Sequence, residues 1–144
     1  MQQSCEEKKH ILLMFKNLDR QVTQNFEKRT GISLTRYEIL YTLLKRGQLS
    51  QIELQHSLKI DQAAITRHLK LLEENNFVIR NRNKQNNREV IVEITDAGKN
   101  ALEHCDLERK QFFDDLFHEC TEQEIQQLQT LVKKLLNNSE KLNG

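Results

Sequence analysis

The chain has 144 residues and a formal net charge of +1, and this length fits one domain of ordinary size. No run approaches the roughly 18 apolar residues of a membrane span, and the N-terminus lacks a signal-peptide pattern. We therefore expect a cytoplasmic protein without membrane contact. Three cysteines, Cys5, Cys105 and Cys120, form neither a disulfide framework nor a recognised zinc pattern. Pro is absent, which favours long uninterrupted helices.

The first predicted element is a long amphipathic helix over residues 8–29, because its apolar residues recur at steps of three and four. Gly31 ends it. Thr35 and Glu38 have the spacing of a capping box, in which a hydroxyl and a carboxylate satisfy each other's backbone donors. They predict the start of a second helix, which is expected to stop near Gly47.

A helix-turn-helix is predicted next. Ser50 and Glu53 repeat the capping-box spacing and open a short helix. Asp61 is a good N-cap for a helix over residues 62–74, and Asn76 can adopt the left-handed conformation that ends it. The tight connection between these two helices is typical of the helix-turn-helix motif.

A β-hairpin with a cationic tip follows the second of these helices. Residues 77–82 and 88–95 are strand-like runs, and the second alternates apolar with polar positions. The five residues between them, 83–87, are polar and prone to form a turn. A helix-turn-helix followed at once by a basic hairpin is the winged helix arrangement.

Two further helices with apolar stripes are predicted to complete the chain. Thr95 caps one long helix whose apolar residues extend to Phe117. Thr121 and Glu124 form a capping box for a last helix with an apolar stripe over residues 125–136. No element of equal length is available within the chain to cover these stripes or that of the first helix. We therefore expect a homodimer that buries them.

Positive charge is concentrated in the middle of the chain. Residues 59–88 hold seven basic and three acidic residues, a net charge of +4, so the remaining chain has −3. Phosphate binding depends on such local density, and the outward face of the helix over 62–74 adds small and polar side chains. The residues predicted to contact duplex DNA are Ser50, Gln51, Gln62, Ala63, Thr66, Arg67, Lys70, Arg82, Lys84, Asn87 and Arg88.

Side-chain chemistry assigns roles within this set. Arg67 can pair with guanine, Gln62 with adenine, and Thr66 or Ala63 can touch a thymine methyl group. The N-terminus of the preceding helix can bind phosphate through backbone amides. Arg88 and Lys84 lie where a wing crosses the DNA backbone.

The same sequence features are also compatible with other structures and functions. A polar helix face or a cationic hairpin, taken alone, is often only solvated surface. The alternative function is a winged-helix module for protein–protein interaction, but such a surface favours exposed apolar anchors over the Gln, Thr, Arg and Lys found here. The sequence has no glycine-rich phosphate loop, HExxH, nucleophile elbow or CxxC. We therefore predict neither an enzyme nor a cofactor or metal site.

Four segments match a family pattern: ITRHLKLLE at 65–73, NFVIR at 76–80, NNR at 86–88 and VEITDAG at 92–98. Together they resemble the MarR (multiple antibiotic resistance) regulators over nearly the whole chain, and the Ile-Thr-x-x-Gly run is their most specific part. The resemblance implies a homodimer, usually a repressor, on a pseudo-palindromic operator. It also implies that Arg88 is the wing arginine that enters the minor groove. The chain departs from the pattern at Asn86, where Asp is usual, and at Asn76, where Gly is usual.

The predicted fold is mainly α-helical with a small β-hairpin wing. We assign residues 34–95 to a winged helix-turn-helix DNA-binding domain. Residues 1–33 and 96–144 are assigned to a helical dimerisation region.

The resemblance also implies a switch, because members of the family commonly lose DNA affinity on binding a small aromatic molecule or on thiol oxidation. The residues that can line a ligand crevice, although they fit a plain core equally, are Phe15, Leu18, Phe26, Tyr37 and Tyr41. For oxidation the candidate thiols are Cys5, Cys105 and Cys120, with crossed pairing between subunits as in oxidation-sensing relatives. Other members respond to zinc, so a ligand, an oxidant and a metal ion all remain open as the effector.

Overall fold

The structure, a computed structural model, describes residues 2–143 of the chain and the side chains of residues 4–143. Its helices are α1 (Gln2–Thr30), α2 (Leu34–Arg46), α3 (Gln51–Leu58), α4 (Gln62–Glu74), α5 (Asp96–His104), α6 (Asp106–Leu116) and α7 (Glu122–Leu142). Its strands are β1 (Leu49–Ser50), β2 (Val78–Arg82) and β3 (Val90–Ile94). Backbone packing divides the chain into two compact parts, residues up to Lys110 and residues from Gln111 onward.

The three strands form one antiparallel sheet in the order β1-β3-β2. In the predicted hairpin of β2 and β3, Val78 pairs with Ile94, and residues 83–89 form the tip. On the other side of β3, Leu49 of β1 pairs with Val92. Strand β1 was not predicted, because two residues are too few to carry an alternating pattern of their own.

The core of the first part lies between α2, α3, α4, α5 and the sheet. Its buried residues are Ile39, Leu40, Leu43, Leu49, Leu54, Ile65, Leu69, Leu72, Val78, Val92 and Leu102. Full burial of such a side chain is worth about 1.5–3 kcal/mol relative to leaving it in water. One continuous apolar cluster therefore fixes both α4 and the hairpin to the same scaffold.

Four predicted helix caps are confirmed, one of them Thr95 at the start of α5. The hydroxyl of Ser50 accepts a hydrogen bond from Glu53 N at 3.0 Å at the start of α3. The carboxylate of Asp61 accepts one at 3.0 Å from the backbone N–H three residues on, at the start of α4. Thr121 and Glu124 form the full reciprocal capping box at the start of α7. Each cap satisfies backbone donors that the first turn of a helix leaves free.

The predicted start of the second helix is wrong. Helix α2 begins at Leu34, and its N-cap is Ser33, whose hydroxyl accepts a hydrogen bond from Arg36 N at 3.2 Å. Thr35 and Glu38 lie inside the helix and form no capping box there. The chain turns directly after α1, so α2 starts earlier than the local pattern indicates.

The single long helix predicted after Thr95 is also wrong. Helix α5 ends at His104 and α6 begins at Asp106, with Cys105 as the C-cap between them. The backbone of Cys105 stays close to helical, with φ −87° and ψ −4°. Such a break requires neither Gly nor Pro, and the sequence therefore carries no local signal for it.

The Ile-Thr-x-x-Gly run connects the wing to α5. The hydroxyl of Thr95 accepts from Gly98 N at 3.0 Å and donates to Asn76 O at 2.6 Å. A Cβ atom on Gly98 would lie 2.3 Å from Phe77 O and 2.7 Å from Ile94 Cγ1. The run thus holds α5 against the turn after α4 so closely that no side chain fits at its glycine.

Helix α1 in the first part and helix α7 in the second each carry an exposed apolar stripe. On α1 the residues Ile11, Leu12, Leu13, Met14, Phe15 and Leu18 are 37–65% exposed. On α7 the residues Ile125, Leu128, Leu131, Leu135 and Leu136 are 38–58% exposed. Even so, none of the helices in the described part of the chain is long and apolar enough to cross a membrane.

Candidate nucleic-acid interface

Helix α4 buries one face and presents the opposite one. Ile65, Leu69 and Leu72 are at most 1% exposed, and they fix the rotation of the helix against the core. The opposite face carries Glu74 in its last turn, and the residues that line a shallow depression along the rest of it are Gln62, Ala63, Thr66, Arg67 and Lys70. Small, amide, hydroxyl and cationic groups on one exposed helix face are what contact with a DNA major groove requires.

The N-terminus of α3 contacts this face. Gln51 Nε2 donates to Thr66 Oγ1 at 3.2 Å, which orients the hydroxyl on α4. Ser50 is 3% exposed and its hydroxyl is occupied by the helix cap, so its side chain is not available to a ligand. Phosphate binding at this position would fall to the backbone N–H groups of the first turn of α3.

The hairpin tip carries the other predicted contacts. The side chains of Lys84 and Arg88 are exposed and make no hydrogen bond or ion pair with any described residue. Arg82 Nη1 donates to Asn87 O at 2.7 Å, and Asn86 Oδ1 accepts from Arg88 N at 3.2 Å. Asn86 stands in place of the usual Asp, and its neutral amide oxygen orders this turn together with the charge-assisted hydrogen bond of Arg82.

Arg80, a further basic residue of the segment, is also used within the protein. Arg80 donates to the carboxylate of Glu73 through Nη2 at 3.0 Å and Nε at 3.4 Å. These hydrogen bonds lower the pKa of Glu73 below its ordinary value. Because its charge is compensated, Arg80 serves as a link between β2 and the end of α4.

His68 is a half-buried residue at the edge of the exposed face of α4. Within the described part of the chain, its Nδ1 atom is buried without a hydrogen-bond partner. Burial and the nearby charges of Arg36 and Arg67 lower the pKa of its imidazole. This environment disfavours the charged imidazolium, which fits a role of His68 in the packing of the helix.

Three of the five crevice candidates form one cluster. The ring centroids of Phe26 and Tyr37 lie 5.3 Å apart, and those of Tyr37 and Tyr41 lie 6.1 Å apart. Phe26 is fully buried, whereas Phe15 and Leu18 lie exposed on α1. The three rings are therefore contiguous, whereas Phe15 and Leu18 belong to the exposed apolar stripe of α1.

Arg109 extends this aromatic cluster. Its Nη1 donates to the hydroxyl of Tyr37, and its guanidinium lies 5.5 Å from the centre of the Tyr37 ring. Its Nη2 pairs with Asp106 at 2.6 Å. Arg109 and Tyr37 are 72 positions apart in the chain, so no local sequence pattern joined them.

A separate cavity of about 390 Å³ opens between the end of α1, the residue before β2 and helix α5. Its walls include the apolar residues Ile32, Phe77 and Ala101 and the polar residues Asn100, His104 and Cys105. None of the five crevice candidates lines it. The volume falls in the range of small-molecule sites.

The three thiols lie in different environments. Cys5 and Cys120 are exposed, whereas Cys105 is half-buried and its thiol donates to Thr30 O at 3.4 Å. Burial and the carboxylate of Glu108 raise the pKa of Cys105, which disfavours the reactive thiolate. Across the described residues, no three His, Cys, Asp or Glu side chains are placed to hold a metal ion together.

Comparison with known sequences identifies the same region. The model of the MarR family matches residues 32–90, which run from just before α2 to the start of β3. The uncharacterized HTH-type transcriptional regulator YdgJ of Bacillus subtilis is 34% identical over 134 residues. That alignment covers 93% of this chain and 82% of the relative.

Solved structures have the same fold. Mutant MarR from E. coli complexed with operator DNA matches with a TM-score of 0.82 and 23% identity, covering 90% of this chain and 96% of that one. Bordetella bronchiseptica BpsR, whose DNA binding is regulated by 6-hydroxynicotinic acid, matches with a TM-score of 0.78 and 16% identity. This match covers 88% of this chain and 98% of BpsR. The predicted winged helix fold is confirmed, and the function is DNA-binding transcriptional regulation, not catalysis. The chain belongs to the MarR family of transcriptional regulators.

Proposed function

We propose that this regulator binds a pseudo-palindromic operator in double-stranded DNA as a homodimer and represses transcription there. The observation that carries the proposal is the exposed face of α4, where small, polar and cationic side chains line one depression and the cationic tip of the hairpin follows in the chain. MarR from E. coli, which shares the fold, was crystallised with operator DNA. A cytoplasmic location follows from the proposal, because bacterial operators are there.

In this proposal α4 enters the major groove. Arg67 pairs with a guanine edge, Gln62 with an adenine edge, and Thr66 or Ala63 contacts a thymine methyl group. Lys70, one turn further along α4, contacts phosphate. The hydrogen bond from Gln51 supports this assignment, because it holds the Thr66 hydroxyl in one orientation before DNA arrives.

The hairpin acts as the wing in the same proposal. Arg88 reaches the minor groove, and Lys84 contacts the DNA backbone that borders this groove. The exposure of both side chains and their lack of internal partners among the described residues support these roles. Arg82 and Asn87 lie at the base of the same turn.

The homodimer is supported by the apolar stripes that α1 and α7 leave in water. Each stripe has at least five large apolar side chains exposed by more than a third. Contiguous exposed apolar surface of this kind marks interaction sites. We assign dimerisation to residues 1–33 and 96–144 and DNA binding to residues 34–95. The twofold symmetry of a dimer then accounts for a pseudo-palindromic operator.

For the switch we propose a small uncharged aromatic effector bound in the cavity beside α5. The described lining of that cavity contains no Asp, Glu, Lys or Arg, which favours a neutral ligand. The cavity joins the end of α1 to the base of the wing, so an occupant acts on both regions at once. BpsR provides a precedent in the same fold, since 6-hydroxynicotinic acid regulates its DNA binding.

Phenol is a suitable first probe of this site. It should weaken DNA binding by the parent chain and have no effect on Ala101→Phe, whose larger side chain fills the cavity. Equal responses of parent and variant, or none in the parent, would contradict the assignment of the effector site.

Thiol oxidation is the second candidate switch, and the exposure of Cys5 and Cys120 favours it. Peroxide should then produce a disulfide-linked dimer on a non-reducing gel and lower DNA affinity. A Cys105→Ser variant should behave like the parent, because the buried thiol takes no part. Absence of the linked dimer together with unchanged affinity would reject this candidate.

DNA docking is tested by two substitutions measured on the intergenic duplex upstream of the gene for this chain. Arg67→Ala should weaken the free energy of DNA binding by about 1–3 kcal/mol and relax specificity at one base pair, because a bidentate base contact is lost. Arg88→Ala should weaken binding with a smaller effect on specificity. Lys99→Ala, which removes an exposed cation from α5, is the control and should bind like the parent. If both arginine variants bind like this control, the docking proposal is wrong.

A further inference from the structure

The hairpin tip is folded by a closed set of hydrogen bonds. Asn83 N donates to Glu89 O at 2.8 Å, and Glu89 N donates to Asn86 O at 3.0 Å. The side chain of Asn83 accepts from Gln85 N at 3.0 Å and donates to Glu89 Oε2 at 2.8 Å. Backbone and side-chain bonds therefore define the path of the turn up to the residue that precedes Arg88.

The peptide group between Asn87 and Arg88 is held at both of its polar ends. Its carbonyl oxygen accepts from Arg82 Nη1 at 2.7 Å, and its N–H donates to Asn86 Oδ1 at 3.2 Å. The partners of these two bonds lie in different parts of the hairpin, since Arg82 ends β2 and Asn86 lies within the tip. A peptide plane fixed at its oxygen and its nitrogen cannot rotate without breaking one of the two bonds.

We propose that Arg82 and Asn86 are positioning residues that orient Arg88 for the minor groove, and that Arg82 is not itself a DNA ligand. The Cα atom of Arg88 is joined directly to the fixed peptide plane, and the hydrogen bond from Glu89 N to Asn86 O holds the peptide that follows it. Together the two peptides set the direction in which the side chain leaves the turn. This inference rests on the proposed DNA-binding role of the wing. It separates the residue that contacts DNA, Arg88, from the residues that position it.

The chemistry of the two contacts fits positioning. The guanidinium of Arg82 is directed at a backbone carbonyl within the turn, and its hydrogen bond at 2.7 Å is short and charge-assisted. Asn86 supplies a neutral acceptor, so position 86 provides no carboxylate that would compete with DNA phosphate for the cation of Arg88. Pre-organising a binding group in this way reduces the conformational entropy that is lost on association.

A double-mutant cycle on the full chain separates positioning from direct contact. The probe is the labelled intergenic duplex upstream of the gene, and fluorescence anisotropy gives the dissociation constant. Arg82→Ala should weaken binding about five- to tenfold in the parent, roughly the net worth of one hydrogen bond. In the Arg88→Ala background, Arg82→Ala should change the dissociation constant less than about twofold, because the residue to be positioned is gone. The matched pair Lys84→Ala and Arg88→Ala should be additive, because each cation acts by itself.

Backbone hydrogen exchange provides a readout that does not depend on DNA. The Arg88 amide should exchange faster in Arg82→Ala and in Asn86→Ala, whereas Asn86→Asp retains an acceptor oxygen and should restore the protection. Unchanged melting temperatures of these variants would confirm that the effect is local to the wing.

Each outcome decides between the two roles of Arg82. Equal losses for Arg82→Ala in both backgrounds, or no loss in either, would overturn the positioning role. Unchanged exchange at the Arg88 amide would overturn it as well. Failure of the parent to bind the duplex, with exchange responding as expected, would instead count against the proposed function and leave the wing geometry intact.

Discussion

Close packing at Gly98 leaves no room for a side chain where α5 passes the base of the wing. An added Cβ would overlap Phe77 O, which already accepts a hydrogen bond from Thr95 N at 3.0 Å and is held in place by it. We expect Gly98→Ala to lower the free energy of unfolding by about 1–3 kcal/mol through overpacking. Urea unfolding measures this, and Lys99→Ala, an exposed neighbour, should change stability by less than about 0.5 kcal/mol. Equal stability of the two variants would show that α5 adjusts freely.

The ion pair of Arg80 and Glu73 gives the stability of the chain a defined pH dependence. Arg80 lowers the folded-state pKa of Glu73, so the stabilisation is complete above the unfolded pKa and is lost as pH falls through the folded one. The Glu73 side chain is 42% exposed, and solvent screening limits the pair to less than about 1 kcal/mol. Arg80→Met should therefore be less stable than the parent at neutral pH and match it in acid. Urea unfolding across pH, with NMR titration of Glu73, tests this, and a gap that persists in acid would refute it.

At the scale of elements, the sequence predicted features that depend on neighbouring residues, such as the extent of α4. It did not predict features that depend on contacts between distant segments. Helix α4 runs from Gln62 to Glu74 as predicted, because its cap at Asp61 and its apolar spacing are local. Asn76, with φ 65°, adopts the left-handed conformation expected after it. Strand β1 exists only because Leu49 meets Val92 of β3, and such pairing depends on the whole fold.

In the candidate site, too, some features could be predicted from the sequence and others could not. Helical periodicity was sufficient to state which residues of α4 face outward, such as Thr66 and Arg67, and the structure leaves both exposed. The partners of individual side chains were not predictable. Arg80 and Arg82 were both counted as phosphate-binding charge, yet both have internal partners, Glu73 on α4 and the carbonyl of Asn87 in the hairpin tip. Charge counting cannot separate a cation used within the protein from one available to DNA.

The N-cap of α4 offers a test at this scale. Asp61→Ala should lower the free energy of unfolding by about 0.5–2 kcal/mol, because a backbone donor at the start of the helix loses its acceptor. Asp61→Asn retains a capping oxygen and should keep most of the stability, although it removes the charge. Thermal or urea unfolding compares the two. If Asn is as costly as Ala, the charge and not the cap stabilises the helix.

At the scale of the whole molecule, the exposed stripe of α7 leads to a prediction about assembly. Leu128 and Leu135 are 46% and 47% exposed, so glutamate is tolerated at both positions within one chain. The double variant Leu128→Glu, Leu135→Glu should be a folded monomer with weakened DNA binding, because two half-sites are no longer engaged together. Sedimentation velocity measures the mass. The control with Gln126→Glu and Asn137→Glu places the same charges off the stripe and should remain a dimer, and a dimeric stripe variant would exclude α7 from the interface.

The central claim is that α4 and the wing of a dimer bind duplex DNA through a locally concentrated positive charge. Its most direct test is a titration of the parent chain against its upstream intergenic duplex at two salt concentrations, about 50 and 200 mM, with the stoichiometry determined. We predict two chains per site and an affinity that falls steeply with salt, because bound cations release counterions from the phosphates. Absence of binding at the lower concentration, or binding that salt does not weaken, would contradict the claim.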